Sequence, residues 1–348
     1  MDRRRFLQQS VVFSAGAMTL GVGCTRPQPV AEEDCGCTEE DLIFGHGTHQ
    51  YKVRTQWSQA DTARFPVKDA HEMVQAADGR LFLLTNETRN NILIYNTSGE
   101  VVGSWGDQFP GAHGLTLHNE GGTEFLYITD YERHQVFKTT LDGRVVMTIE
   151  APLDSEYYSN TEQFKPTETA IGPDGTIYVA DGYGAQWISV YSPSGQLQKV
   201  FGGPATFQNA HGICLDTRGT EPCLLVSARE QNMLRRFRLN GDWISDVQLP
   251  GAFINRAVIR GENVYLSVLK SGAQQGHKSG FVMVLDANNK VISCPGGSSP
   301  ESFANKVPLH QTVTMFQHPH DVCVDANDNL YVAQWNSGGV HPIMLERV

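Results

Sequence analysis

Short apolar runs separated by turn residues extend along most of this chain. The run Ile177-Tyr-Val-Ala follows the turn Gly172-Pro-Asp-Gly175, and the run Trp187-Ile-Ser-Val-Tyr191 precedes a Ser-Pro-Ser-Gly turn. Glycine in such turns accepts a positive φ without steric cost, so Asp-Gly and Ser-Gly between alternating segments are strong hairpin signals. The pattern therefore predicts successive antiparallel hairpins, with four strands in each unit.

The four-strand unit repeats along the sequence. Aligned on the residue that opens its first strand, the unit recurs about every 40 to 65 residues, and polar insertions fill the longer intervals. Four strands at this period are typical of a propeller blade, so six units predict an all-β, six-bladed β-propeller over residues 49–348. The opening residues are His71, His113, Thr167, His211, Asn255 and His320, and the copy at Asn255 is degenerate.

The last of these units lacks one strand. After His320 the sequence supplies three apolar segments, whereas the other units supply four. A spare strand-like segment, Tyr51-Lys-Val-Arg-Thr-Gln-Trp57, precedes the first unit. We expect this segment to complete the last blade and close the ring, because closure removes an exposed sheet edge.

The first 24 residues predict an export signal that is separate from the fold. Residues 2–8, Asp-Arg-Arg-Arg-Phe-Leu-Gln, resemble a twin-arginine motif, and a weakly apolar stretch follows them. Gly23-Cys24 resembles a lipoprotein cleavage site, which makes Cys24 a candidate for lipidation and membrane attachment. Residues 25–48 are rich in Pro, Gly and acidic side chains and predict a flexible tether. The expected location is the periplasm or the cell envelope.

Net charge narrows the set of partners. The formal charge of −11 over 348 residues argues against nucleic acid as a partner. A small-molecule or peptide substrate and a monomeric protein are expected.

The seven cysteines leave several pairings open. An exported protein can form disulfides, and Cys214 with Cys223, on successive predicted strands of one unit, is the preferred pair. Cys35 and Cys37 are either a metal or redox site or, with greater weight, a thiol pair in the tether. No second cysteine pair with zinc spacing accompanies them.

Histidine occupies four of the six opening positions, namely His71, His113, His211 and His320. Equivalent positions on inner propeller strands surround one mouth of the central channel. Three imidazoles with an open fourth position form the usual catalytic zinc site. A single histidine in a tunnel more often hydrogen-bonds backbone groups, but four at equivalent positions favour a metal.

The motifs in order resemble a known family. The segments that carry the resemblance are Pro110-Gly-Ala-His113-Gly-Leu-Thr-Leu, His134-Gln-Val-Phe-Lys138, Lys165-Pro-Thr167, Val179-Ala-Asp-Gly-Tyr183-Gly, Tyr191-Ser-Pro-Ser-Gly195, His211-Gly-Ile-Cys-Leu, Val226-Ser-Ala-Arg229-Glu230 and Phe316-Gln-His-Pro-His320-Asp321. The repeats are similar to NHL repeats, and the set of segments resembles the peptidyl-α-hydroxyglycine α-amidating lyases and their bacterial relatives across roughly residues 65 to 335.

The resemblance implies a metal and a reaction. It implies zinc held by His113, His211 and His320. His71 is an additional histidine that departs from the family pattern, and its place in the repeat makes it a further candidate ligand. The implied reaction splits the C–N bond of a peptidyl-α-hydroxyglycine and gives a peptide amide and glyoxylate.

The resemblance also implies roles for other residues. Tyr183 matches the tyrosine that acts on the substrate hydroxyl, and Arg229 matches an active-site arginine. Arg89 is the candidate for a second arginine, although Asn86 occupies the nearer place. Asp321 matches a carboxylate that helps to hold a structural calcium in the tunnel.

Two other functions remain open on the sequence. A non-catalytic NHL propeller could bind a peptide, glycan or protein at the cell envelope, because a fold does not fix a function. A calcium-dependent, lactonase-like propeller would need carboxylates and Asn at the tunnel mouth, and imidazoles stand there instead. Departures from the family pattern, such as Ala228 before Arg229 and His318 before His320, leave the substrate open.

Overall fold

A computed structural model describes residues 42–271 and 279–348 of the protein. The predicted export signal, Cys24, Cys35 and Cys37 lie outside the described residues. Within those residues, no helix combines the length and the apolar character needed to cross a membrane.

In the described part of the chain, twenty-five strands form six antiparallel sheets. Two strands precede the first full sheet: β1 (Ile43–His46) and β2 (His49–Arg54). Blade 1 consists of β3 (Ala70–Gln75), β4 (Leu81–Thr85), β5 (Ile92–Tyr95) and β6 (Val101–Trp105). Blade 2 consists of β7 (Ala112–Glu120), β8 (Thr123–Asp130), β9 (Gln135–Thr140) and β10 (Val145–Ile149). Blade 3 consists of β11 (Glu168–Ile171), β12 (Ile177–Ala180), β13 (Trp187–Tyr191) and β14 (Leu197–Gly202).

The remaining sheets follow the same order. Blade 4 consists of β15 (Ala210–Asp216), β16 (Cys223–Ala228), β17 (Met233–Arg238) and β18 (Trp243–Gln248). Blade 5 consists of β19 (Ala252–Arg260), β20 (Asn263–Ser271), β21 (Phe281–Leu285) and β22 (Val291–Ser293). Blade 6 contains β23 (Pro319–Val324), β24 (Leu330–Gln334) and β25 (Ile343–Arg347). Within residues 42–271 and 279–348 the helices are short. They are one α-helix, α1 (Pro300–Ala304), and 3₁₀ turns at Thr161–Gln163 and Arg229–Gln231.

The inner strands form a closed ring. Each first strand contacts the first strand of the next blade, and β23 contacts β3 to complete the circle. The predicted six-bladed propeller is therefore confirmed. The turn glycines behave as expected, since Gly175 has a φ of 82° between β11 and β12.

The closing strand is also confirmed. Strand β2 pairs with β25, so Tyr51 faces Arg347 and Val53 faces Leu345 in the register. Strand β1 adds a fifth strand outside β2, with Phe44 opposite Tyr51. The sheet therefore begins six residues before the predicted boundary at residue 49, within the segment predicted as a tether.

Apolar contacts between neighbouring blades form the core. The second strands are buried on both faces, because each blade packs against a blade on either side; all five residues of β4 and of β24 are buried. This explains why the second strands read as continuous apolar runs, whereas outer strands such as β6 alternate between exposed and half-buried residues.

The preferred disulfide is wrong. Among the cysteines in the described residues, Cys214 and Cys223 form no disulfide with each other or with Cys294 or Cys323. In the register of β15 and β16, Cys214 lies opposite Leu225 and Cys223 lies opposite Asp216. The two cysteines are therefore diagonal neighbours, for which the spacing of about 7–8 Å exceeds what a disulfide spans.

Candidate metal centre at the tunnel mouth

The structure brings the four histidines together. The ring centroids of His113, His211 and His320 lie 4.7–5.1 Å from one another. The ring of His71 lies 4.9 Å from that of His113 and 4.7 Å from that of His320. All four start inner strands, so the repeat itself places them around the axis.

Three of these histidines are anchored in the same way. Nδ1 of His113 lies 2.8 Å from the carbonyl oxygen of Thr167, and Nδ1 of His211 lies 3.1 Å from that of Asn255. Nδ1 of His320 lies 3.0 Å from the carbonyl oxygen of His71. Each accepting residue opens the next blade. The anchored histidines therefore occupy alternate blades, 2, 4 and 6, and their acceptors occupy blades 3, 5 and 1.

These bonds settle which nitrogen is free to bind a metal. A carbonyl oxygen can only accept, so the proton of each neutral imidazole is on Nδ1 and the lone pair is on Nε2. Metal-binding histidines are usually held by such a bond from the other ring nitrogen. In the part of the chain that the structure describes, Nε2 of His320 has no hydrogen-bond partner.

Glycine after two of the histidines permits the close approach. A Cβ at Gly114 would lie 2.5 Å from the Thr167 carbonyl oxygen, and a Cβ at Gly212 would lie 2.2 Å from that of Asn255. These are the carbonyls that accept from His113 and His211. A larger residue would push the blades apart and break the anchor.

Burial keeps the four imidazoles neutral. Each is at most 2% exposed. Burial lowers the pKa of His71 to about 3 and lowers the pKa values of His113, His211 and His320 well below the usual value. The neutral form is the one that binds a metal.

His71 differs from the other three. Neither of its ring nitrogens has a hydrogen-bond partner among the described residues. One nitrogen each of His71, His113 and His320 lie within 4.8 Å of one another, a spacing that could hold a metal ion. The distances between ring nitrogens thus favour His71 as the third metal ligand beside His113 and His320. The Nδ1 hydrogen bonds favour His211 in that role. The Nδ1 hydrogen bonds of His113, His211 and His320 fix the orientation of these rings before a metal binds, which favours these three as the ligands.

Tyr183 and Arg229 stand over the histidines. The Tyr183 hydroxyl lies 3.1 Å from Nε2 of both His113 and His211. The Arg229 guanidinium lies 5.8 Å from the centre of the Tyr183 ring, and its Nη1 donates to Asn255 Oδ1 at 3.0 Å. A pocket of about 40 Å³ lies among these groups, lined by Tyr183, Arg229, Leu269, His320 and Trp335.

A buried carboxylate holds the loop that carries Tyr183. Asp181 accepts from the backbone N–H groups of Lys165 and Ala185, each at 2.7 Å. These bonds fix both sides of the loop, so the tyrosine is supported even though its ring is 37% exposed. A larger depression of about 510 Å³ beside Trp243 on blade 4 contains no histidine, and the chemistry of the residues favours the smaller pocket.

Two aromatic residues at the mouth were missed from the sequence. The Tyr131 ring lies 5.6 Å from that of Tyr183 and 6.1 Å from that of His113, and burial raises the pKa of Tyr131 to about 12. Trp335 lines the pocket and lies 5.7 Å from the His318 ring. Both follow the second strand of their blade directly, as Arg229 does. Aligning the loops after the second strands, as well as the first strands, would have found them.

Arg89 is not brought to this mouth. Its guanidinium pairs with Glu87 at 2.9 Å, and its side chain is 67% exposed. Among the described residues no contact joins Arg89 to the histidines. Asn86, which occupies the nearer place in the sequence, is buried and accepts from the backbone N–H of Asp69 at 3.0 Å.

Asp321 lies in the tunnel below the histidines, where it contacts an arginine. Nη1 of Arg256 is 3.3 Å from Asp321 Oδ2, and the N–H of Met73 donates to the same oxygen at 2.9 Å. A guanidinium beside this carboxylate disfavours a second cation there. These residues do not fit the calcium that the sequence resemblance implied.

Comparisons with known proteins point to one group of enzymes. The chain is 28% identical over 277 residues to peptidyl-alpha-hydroxyglycine alpha-amidating lyase 1 of Drosophila melanogaster. This alignment covers 70% of this chain and 46% of the Drosophila protein. It is 32% identical over 120 residues to a probable lyase of the same name from Caenorhabditis elegans, covering 34% of this chain and 32% of the relative. The chain resembles the amidating lyases. It spans less than half the length of these relatives.

The solved structures support the architecture. Virginiamycin B lyase from Staphylococcus aureus superposes with a TM-score of 0.53 at 15% identity, covering 80% of each chain. At that identity the likeness shows the propeller fold alone. No family model matches the sequence.

The buried histidines predict loss of stability in acid. Because the folded-state pKa values lie below the unfolded value, stability is present above about pH 6.5 and falls as the unfolded chain takes up protons. Each such histidine contributes a slope of about 1.4 kcal/mol per pH unit to the free energy of unfolding.

His71→Asn in chelated, metal-free protein should therefore reduce the dependence of unfolding free energy on pH between 6.5 and 5 by about that slope. Urea unfolding at several pH values measures it, with exposed His310→Asn as the matched control. An unchanged slope in His71→Asn would mean that His71 is not buried as a neutral group.

Proposed function

We propose that this protein is a zinc-dependent carbon–nitrogen lyase that splits an α-hydroxyglycine-type amide into an amide and glyoxylate. One observation carries the proposal. Three neutral imidazoles on alternate blades, held by their Nδ1 protons, direct Nε2 toward a mouth that also holds a phenol and a guanidinium. The sequence similarity to amidating lyases supports the reaction class.

The donor set fits zinc. Zinc takes imidazole nitrogens in tetrahedral sites, and catalytic sites keep one position for water or substrate. His113, His211 and His320 would supply the three nitrogens, and His71 is a fourth imidazole beside them. When bound, zinc polarises a coordinated oxygen and lowers its pKa.

Tyr183 is placed to handle the proton of the reaction. Its hydroxyl lies 3.1 Å from Nε2 of His113 and of His211, so a substrate hydroxyl held at the metal that these nitrogens would bind would lie beside the phenolic oxygen. Transfer of the carbinol proton to a nearby base lets the C=O form while the C–N bond breaks. The released electron pair goes to the amide nitrogen, which takes a proton.

Arg229 would bind the carboxylate of the glycine unit. It is 9% exposed, lines the small pocket and keeps one nitrogen on Asn255 and another within 3.4 Å of Glu230. A guanidinium presents several donors in one plane and binds a carboxylate in a bidentate manner. A pocket of about 40 Å³ suits such a small head group, while the rest of the substrate would extend beyond the mouth.

Zinc content distinguishes the three anchored histidines from the fourth. His113→Ala, His211→Ala and His320→Ala should each lower zinc affinity by more than the roughly 10- to 100-fold that loss of an outer partner costs, because each removes a ligand. His71→Ala should retain zinc, with exposed His310→Ala as control. Elemental analysis and competition with a chelating dye measure both quantities. Full zinc content in His211→Ala would contradict the proposed zinc site. Absence of zinc from the wild-type protein would favour a non-catalytic propeller that binds a partner.

Activity separates the roles of the mouth residues. Metal-replete protein should release glyoxylate from α-hydroxyhippurate. Tyr183→Phe should lower kcat by about 10²- to 10⁴-fold at full zinc occupancy, since it removes the proton acceptor. Arg229→Gln should lower kcat/KM by roughly 10- to 100-fold, mainly through KM, because charged hydrogen bonds contribute about 1.5–3 kcal/mol. Arg89→Ala, which changes only a surface pair, should match the wild type. No glyoxylate from zinc-loaded wild type would rule out the lyase reaction.

We also propose that the protein is exported in a folded state through its twin-arginine segment and is held at the envelope by lipid on Cys24. The arginine run at residues 3–5 and the Gly23-Cys24 pair support this. Replacing Arg3, Arg4 and Arg5 by lysine should leave the precursor inside the cell, as measured by fractionation and immunoblotting. Unchanged export of that variant would contradict the route.

A further inference from the structure

A second ring of residues lies one position further along the inner strands than the histidines. In blades 2 and 4 this position is glycine, and in the other four blades it is charged. Its charged members are all buried: Glu72, Glu168, Arg256 and Asp321. We call these four residues the charged ring. Its sole cation, Arg256, comes from blade 5, the degenerate copy of the repeat.

Arg256 contacts all three carboxylates. Its Nη1 lies 3.0 Å from Glu72 Oε2 and 3.3 Å from Asp321 Oδ2, and its Nε lies 3.2 Å from Glu168 Oε2. The guanidinium therefore joins blade 5 to blades 1, 3 and 6 across the tunnel. A lysine could not do this, because only the planar fork of arginine presents donors in several directions at once.

Backbone N–H groups satisfy other carboxylate lone pairs. Leu115 donates to Glu72 Oε2 at 2.6 Å, Met73 to Asp321 Oδ2 at 2.9 Å, and Thr169 to Glu168 Oε1 at 2.8 Å. Within the described residues, two carboxylate oxygens of the ring have no hydrogen-bond partner: Asp321 Oδ1, and Glu168 Oε2, which lies 3.2 Å from Arg256 Nε. Calcium requires six to eight oxygens, so two carboxylate oxygens beside a fixed positive charge are a poor site for it.

Burial of three carboxylates in the tunnel requires a compensating cation. Leaving buried charges without a partner is strongly destabilising. We propose that Arg256 is the built-in cation of this tunnel, and that the propeller is held together there by a guanidinium and takes no structural calcium. The inference concerns the charged ring and does not depend on the zinc chemistry above.

The wild-type protein provides the first test. At fixed free zinc, we expect thermal unfolding to occur at the same temperature with EGTA and with millimolar calcium, and elemental analysis after dialysis to find no stoichiometric calcium. About one calcium per chain, together with a rise in unfolding temperature of several degrees when calcium is added, would overturn the proposal.

Removal of the guanidinium provides the second test. Arg256→Gln leaves the carboxylates without their cation, so it should lower the unfolding temperature and make it rise again by several degrees with millimolar calcium. Arg256→Lys keeps a charge and should show a smaller loss and no calcium response. Arg260→Gln, on the exposed part of β19, is the matched control, since it removes only a surface contact with Asp328 at 3.7 Å. Arg256→Gln that folds and gains nothing from calcium would contradict a cation role. If this variant fails to fold, the wild-type calcium measurement decides.

Discussion

The hydrogen bond from a histidine Nδ1 to a carbonyl of the neighbouring blade is the interaction on which this molecule depends. It occurs three times, at His113, His211 and His320, and each time it crosses from one blade to the next. It fixes the tautomer, aims Nε2 at the axis and ties the site to the closed ring. The bond from His320 reaches the first residues of blade 1, so the site is complete only when blade 6 meets blade 1. Pairing of β2 with β25 completes that sixth blade.

Two layers of opposite character are stacked along the tunnel. The upper layer is made of neutral imidazoles, and the lower layer contains three carboxylates and one guanidinium. Burial raises the pKa of Glu72 well above its usual value and also raises that of Asp321, so protonation reduces the negative charge that surrounds Arg256. The lower layer is held by its own guanidinium, and the upper layer is held by the Nδ1 hydrogen bonds of its imidazoles.

The sequence predicts the parts of this structure that repeat. The hairpin turns and the common opening residues specify six blades, and the missing strand of the last blade identifies residues 51–57 as the closing segment. His113, His211 and His320 follow from the same alignment, because equivalent positions on inner strands must meet at the axis. Tyr131 and Trp335 occupy an equally regular position, directly after the second strands. An alignment of the first strands alone does not include that position.

Features set by contacts between blades could not be predicted in this way. The carbonyl partners of the histidines are backbone atoms and leave no side-chain signal. Arg256 occurs in the blade whose repeat is hardest to recognise, so its place among three carboxylates becomes visible only in three dimensions. The separation of Cys214 from Cys223 depends on strand register, which a turn of uncertain length does not fix. Arg89 lies only a few residues from the position in the sequence where the second arginine was expected. Its side chain nevertheless pairs with Glu87 and is exposed to solvent.

Anomalous diffraction from crystals grown with zinc tests the central claim most directly. Difference maps from data collected on both sides of the zinc absorption edge should show one zinc per chain, bound by Nε2 of His113, His211 and His320, with the Tyr183 hydroxyl moved away from those nitrogens. A zinc ion bound elsewhere, or none beside the three histidines at full zinc concentration, would contradict the account.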